Sequence, residues 1–242
     1  MSSNKRNVTS IKPQNDGSDL TIIIPAAGAA HRMRSLGPKC LIDINGKTVL
    51  ERIIDNCNSY YPLAQVVVVT GFQSDKVANS LKSRAVSVEN ERFEETNVVR
   101  SIAHGLRTTN NNKVLIIFGD LVFDSSALID IEGTSKALID ISGCFDDHHR
   151  EIGVRLANNF IDNFSYSFAE KWAQITFLTG KELSLLRKLC FNRENEKLYL
   201  FEIFNMILER GGQIEGKKNP RCRVMDIDTL EDIEKARGIF NV

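Results

Sequence analysis

The chain has 242 residues, 42% of them hydrophobic and 26% charged, with 31 basic residues balanced by 31 acidic ones. That length and composition fit one globular α/β domain with a full core, and the zero net charge removes any global electrostatic reason to expect nucleic acid or a membrane surface as partner. A small molecule is the expected partner.

Residues 1–19 are polar and have no apolar stretch of the kind found in a signal peptide, so they are expected to be a flexible tail. No later segment approaches the apolar length of a membrane span. The five cysteines, Cys40, Cys57, Cys144, Cys190 and Cys222, are scattered and lack C-x-x-C or Cys/His ligand spacing. Reduced thiols in a cytoplasm fit this pattern.

Past the tail, strand-like and helix-like runs alternate. Strands are predicted over 20–24, 65–70, 85–88 and 114–118, with helices over 48–57, 75–83 and 98–107 between them. This βαβ progression implies a doubly wound, largely parallel sheet. After about residue 124 the rhythm changes: strands are predicted over 137–143, 152–155, 172–178 and 224–227, and helices over 180–189, 196–210 and 229–236. The expected organisation is a single domain over 20–242, with 20–124 receiving a nucleotide and 125–242 an acceptor. Gly28, Gly71 and Asp120 each fall just after a strand, and in such sheets ligands sit outside the carboxyl ends of the strands.

The first strand runs into Pro25-Ala26-Ala27-Gly28-Ala29-Ala30, almost without side-chain bulk, and then into Arg32 and Pro38-Lys39. A turn of small residues lets backbone N–H groups form an anion-binding concavity, while Arg32 and Lys39 add a forked donor and a point charge. The plainer alternative is a tight strand-to-helix junction with two solvated cations. A P-loop is excluded because Leu41 stands where Gly46-Lys47-Thr48 would need its first glycine. The dinucleotide fingerprint fails too, since Ala30 and Met33 occupy its second and third glycine positions.

Asp120 ends the run 114–120 behind Gly119, which leaves room for a close approach. A strand-end carboxylate suits Mg²⁺, which takes one or two carboxylates and completes its shell with phosphate oxygens and water. Capping of the next turn is the structural alternative. Near the other end, Asp226-Ile227-Asp228 closes a strand, and Asp228 is a candidate N-cap with Glu231 completing a capping box. Asn97 reads as the cap of the helix that follows it. Glu202 and Asn205 lie one turn apart in the apolar run 198–207, where they would either meet an acceptor's hydroxyl or ammonium group or face solvent. Trp172 is either a pocket wall or core. His148-His149 lacks the spaced ligands of a zinc site and is assigned to a surface loop.

Together, Pro25-Ala26-Ala27-Gly28-x-x-x-Arg32-Met33, Pro38-Lys39-x-Leu41 and Ile44-x-Gly46-Lys47 resemble the signature of the nucleotidyltransferases that join a nucleotide to a sugar phosphate or alcohol phosphate. The family's usual form is Ala-Ala-Gly-x-Gly-x-Arg, and here Ala30 replaces the second glycine. The resemblance implies a Rossmann-like fold of the GT-A type. It also implies a transferase that condenses a nucleoside triphosphate, CTP or UTP favoured, with a small phosphomonoester and releases pyrophosphate. Gly119-Asp120 and Ile227-Asp228-Thr229-x-x-Asp232-Ile233 are similar to the family's two metal-binding segments, which carries an Mg²⁺ role to Asp120 and Asp228, with Asp226 a weaker third. The stretch 90–101 resembles the phosphocholine cytidylyltransferase branch, with Phe93 at its aromatic position. It would set Thr96, Asn97 and Ser101, along with Ala26 to Ala30 and Gly71, against the nucleotide. Glu170-Lys171-Trp172 is similar to the family's Glu-Lys-Pro, which would put Lys171 on the acceptor phosphate; Trp172, Glu202 and Asn205 are weaker acceptor candidates. Catalysis would rest on Arg32, Lys39 and Lys171. A nucleotide-sugar-dependent glycosyltransferase is a rival, but it generally needs Asp-x-Asp where this chain has Gly119-Asp120-Leu121-Val122. A non-catalytic nucleotide-binding module of the same fold is the other.

Overall fold

The computed structural model describes residues 16–28, 36–143, 151–166 and 168–240. Ala29, Ala30, Arg32, Cys144 and the His148-His149 pair lie outside the described residues.

Strand β1 (Leu20–Pro25) is buried along its whole length, because Leu20, Ile22 and Ile24 feed one hydrophobic cluster and Ile23 the other. A hairpin of β2 (Asp43–Ile44) and β3 (Lys47–Thr48) turns at Asn45-Gly46, both at positive φ, as a two-residue hairpin loop requires. Helix α1 (Val49–Tyr60) starts on a capping box in which Thr48 and Glu51 satisfy each other's backbone N–H groups. The first half continues through β4 (Gln65–Thr70), α2 (Ser74–Ser80), β5 (Val86–Glu89), α3 (Val98–Arg107), β6 (Lys113–Ile117) and β7 (Leu121–Phe123). The second half contains β8 (Lys136–Asp140), β9 (Gly153–Ala157), β10 (Phe160–Ser165), β11 (Glu170–Thr179), α4 (Gly180–Phe191), α5 (Leu200–Glu209), β12 (Ile214–Lys218), β13 (Val224–Asp226) and α6 (Leu230–Ile239).

Nine strands form one sheet in the order β5-β4-β1-β6-β11-β8-β12-β10-β9. The first four are parallel, β11 runs antiparallel to both β6 and β8, and β12 is again parallel to β8. Residues of α1, α2 and α6 pack on one face and those of α3, α4 and α5 on the other, so the sheet is doubly wound, as expected, and mixed, its parallel strands concentrated in the first half. The chain steps outward from β1 to β4 and β5, then returns to place β6 on the other side of β1. Strand order therefore reverses between β1 and β6, and the crevice of the fold opens at their carboxyl ends.

Five strands were invisible to the hydrophobic period, the two-residue β2 and β3 together with β7, β10 and β12. Strand β12 buries only Ile214 fully, β10 is interrupted by a register shift between Ile161 and Asn163, and β7 is three residues long. The helix predicted over 196–210 begins only at Leu200. Glu202 is committed there, its carboxylate accepting from the Tyr199 N–H at 2.7 Å, so it serves the helix start. Trp172 is core: it is 3% exposed, its Nε1 donates to Thr176 Oγ1 at 3.0 Å, and its ring meets Phe118, Phe164 and Phe204 edge-on. Asn205 is likewise structural. Its amide donates to the Phe164 carbonyl and accepts from the Phe164 N–H, both at 2.9 Å, completing β10 where β12, paired only at Phe160 and Ile161, has ended.

Replacing Asn205 by Ala should therefore strand two backbone groups of the buried Phe164 and lower stability by about 1–3 kcal/mol. A urea midpoint shifted down at unchanged slope is the expected result, and an unchanged midpoint would refute this role.

Candidate functional site

The crevice between β1 and β6 is an open cleft of about 760 Å³. Pro25, Ala26, Ala27 and Gly28 form its floor, Lys39 and Cys40 one wall, Asn90 to Ser101 the opposite wall, and Phe118-Gly119-Asp120 its inner end. The floor is held from three sides: Ala26 N–H donates to Val69 O at 2.8 Å, Phe72 N–H to Ala27 O at 3.1 Å, and Gly119 N–H to Pro25 O at 3.1 Å. Gly28 is exposed, with open space where a Cβ would stand.

Two glycines owe their identity to this packing. A Cβ on Gly119 would meet Ala26 Cβ and Pro25 O at 2.9 Å, so the room it provides is taken by the floor itself and not by a ligand. A Cβ on Gly71 would meet Ala27 O and the Phe93 side chain at 2.8 Å. Gly71 thus backs the floor from behind and does not line the cleft.

At the inner end, three chain segments converge on one cluster of charge. Pro38 leads into a short 3-10 turn over Lys39–Leu41, and the Lys39 ammonium lies between two carboxylates, 3.3 Å from Asp120 Oδ2 and in direct contact with Asp228 Oδ1. The side chains are 22–28% exposed. Burial acts to discharge Lys39, but Asp120 and Asp228 outweigh it and hold its pKa above the ordinary lysine value. Burial, with the Asp120 charge second, pushes the Cys40 thiol up to about 12, so it stays protonated. Asp226 is also raised, by burial first and then by Glu151, Asp120 and Asp228.

Asp120 and Asp228 meet because β7 and β13 pair antiparallel, with Asp226 opposite Leu121 and the Ile227 N–H donating to Asp120 O at 3.0 Å. The expected cap at Asp228 is displaced by one residue. Thr229 caps α6, and Asp232, not Glu231, closes the box, accepting from the N–H groups of Asp228 and Thr229 at 2.9 and 2.7 Å. The carboxylate of Asp228 is thereby left to face Lys39.

These residues fit a divalent cation. Asp120 Oδ1 is buried and has no hydrogen-bond partner, and a cation, the lysine's own, already lies between the carboxylates. Among the described residues no group of three or more His, Cys, Asp or Glu side chains could hold a metal, so phosphate oxygens and water would have to complete the shell.

The opposite wall is organised by Asn90, the first residue of the 90–101 stretch, to which the sequence alone assigns no separate role. It is 1% exposed. Its amide donates to Thr96 Oγ1 and Ser101 Oγ at 3.2 Å, and its Oδ1 accepts from the Arg92 N–H at 3.2 Å. Thr96, Asn97 and Ser101 all line the cleft, and Asn97 caps α3 as expected, accepting from Val98 N–H at 2.8 Å. The wall is tied to the second half of the chain by Asn97 N–H donating to Glu196 O at 2.8 Å and by a two-pronged Arg92–Glu196 ion pair at 3.0 and 3.1 Å. Lys171 is not among the residues that line this cleft. It opens β11, in register with Asp140 and Gly153.

Asn90→Ala should cost about 1–3 kcal/mol through the donors and acceptors it strands. It should also raise the KM for a nucleotide more than it lowers kcat; a variant with wild-type stability and KM would show that this wall does not depend on Asn90.

Residues 22–131 match the family described as MobA-like NTP transferase domain. The bifunctional protein GlmU of Symbiobacterium thermophilum is 25% identical over 216 residues, covering 82% of this chain and 46% of its own length. The chain thus spans less than half of that relative. Among solved structures, the inositol-1-phosphate CTP transferase from T. maritima is similar with a TM-score of 0.72 at 20% identity, over 90% of this chain and 94% of its own. The CTP:phosphocholine cytidylyltransferase LicC of Streptococcus pneumoniae gives 0.74 at 16% identity, over 91% and 98%. The floor of the cleft, the glycine that seals it and Asp120 all fall within residues 22–131, the segment that is similar to the MobA-like NTP transferase domain.

Proposed function

We propose that the chain is a nucleotidyltransferase that condenses a nucleoside triphosphate, CTP or UTP favoured, with a sugar 1-phosphate or an alcohol phosphate such as phosphocholine, releasing pyrophosphate. The observation that carries this reading is the Lys39 ammonium held between Asp120 and Asp228 at the end of a switch-point cleft floored by Ala26, Ala27 and Gly28. The likeness to proteins named for CTP-dependent transfer supports the choice of base.

In this reaction an oxygen of the acceptor phosphate bonds to the α-phosphorus as the α–β bridging bond breaks, and pyrophosphate leaves with the bonding electrons. A phosphomonoester with a second pKa near about 6 is already largely ionised at neutral pH, so no general base is needed. The chain's part is positioning and charge neutralisation. The small-residue floor lets the triphosphate lie against backbone, Thr96, Asn97 and Ser101 meet the nucleoside, and Lys39 carries positive charge to the phosphates. Mg²⁺ held by Asp120 and Asp228 would supply further neutralisation of the triphosphate. Arg32 and Lys171 are assigned to the triphosphate and the acceptor phosphate from the sequence resemblance alone. Cys40, Cys57 and Cys190 are free, buried thiols, which supports work in a reducing cytoplasm. Among the described residues no helix is long and apolar enough to cross a membrane.

The test is pyrophosphate release across the four common triphosphates and a panel of phosphorylated acceptors, with and without Mg²⁺. At least one pair should give metal-dependent release, and Asp120→Ala should lower it by about 100-fold or more with the fold intact. No release from any pair, or undiminished release by the variant, would overturn the assignment.

A further inference from the structure

We propose that Lys39 is an exchangeable tethered cation: its ammonium takes the position between Asp120 and Asp228 that a metal ion would take, and a metal-bound triphosphate enters by displacing it onto phosphate. The inference rests on the nucleotidyltransferase reading and adds to it an order of events among this chain's own residues.

Three observations carry it. The first is position. The Lys39 ammonium touches Asp228 Oδ1 and lies 3.3 Å from Asp120 Oδ2, the place between two carboxylates where a divalent ion would sit. The second is incomplete satisfaction, since Asp120 Oδ1 is buried without a partner while Oδ2 faces the lysine. One ammonium therefore leaves part of the pair's acceptor capacity unused. The third is charge. Two carboxylates and one ammonium sum to one negative charge, and a divalent ion added beside an unmoved Lys39 would put two cations against each other at contact distance. The ion and the ammonium are alternatives at one position.

The lysine stem is flexible and its head a rotatable point charge, and Lys39 also lines the cleft over Ala26 to Gly28. A triphosphate lying there offers the displaced ammonium a new anion. A bare metal ion offers none, so it must evict Lys39 from its ion pairs without compensation. Metal and triphosphate are thus coupled through Lys39, and by linkage each raises the affinity for the other by the same factor.

The probe is Mn²⁺ alone, with no nucleotide and no turnover, followed through the electron paramagnetic resonance signal of the free ion. Lys39→Met and Lys39→Gln should bind Mn²⁺ at least 10-fold more tightly than the wild type, Lys39→Arg should stay near the wild type, and adding Asp120→Asn to Lys39→Met should abolish the gain. Circular dichroism verifies folding, and the glutamine variant decides the matter if the methionine variant does not fold. Neutral variants that bind Mn²⁺ no more tightly than the wild type, including no binding by any of them, overturn the exchange. A wild type that releases pyrophosphate while its neutral variants show no gain defeats this inference alone; one that shows the Mn²⁺ pattern but never releases pyrophosphate defeats the proposed function alone.

Discussion

The carboxylates of Asp120 and Asp228 are brought face to face at the end of a cleft, in a setting only about one quarter exposed. Two like charges in such a place repel strongly unless a cation separates them. Lys39 supplies that cation, and much of the local architecture follows from the need to deliver all three groups to one point. Pro38 sets the entry to the turn that carries Lys39. The β7–β13 pair draws the C-terminal segment across to the end of β6. Asp232 takes over the capping of α6, so that Asp228 need not spend its oxygens there.

The parallel half of the fold and its crevice were legible because their cause is local. Strands buried on both faces, such as β1 and β4, write an unbroken β-branched run into the sequence, and α3 begins where Asn97 caps it. The small-residue floor, Lys39, Asp120 and Asp228 were legible for a related reason, since each sits close to a strand or helix terminus, the first three of them beside a glycine or proline. The second half of the chain was not read as well. Strands β10 and β12 carry little apolar periodicity because they lie toward the far edge of the sheet, and their pairing is fixed by partners distant in sequence.

The polar residues offered as weaker acceptor candidates share one physical origin. A polar group in an apolar run must find a partner, and the sequence does not say whether that partner is a ligand or the chain's own backbone. For Asn205 it is both backbone groups of Phe164, for Glu202 the N–H of Tyr199, and for Trp172 the hydroxyl of Thr176. Asn90 was overlooked for the converse reason. In the sequence it looks like one more loop asparagine, and its importance comes from folding the loop back over Ser101.

The tie between Asn97 and Glu196 places the segment before α5 behind the nucleoside wall, and Tyr199 of that segment reaches the cleft itself. In a nucleotidyltransferase of the proposed kind, selection of the base and selection of the acceptor are therefore not modular traits. A lineage that remodels residues 193–199 to take a new acceptor also shifts the support of Thr96 and Asn97. Changes in the two preferences should then be inherited together, which favours abrupt replacement of a whole substrate pair over independent drift in either partner.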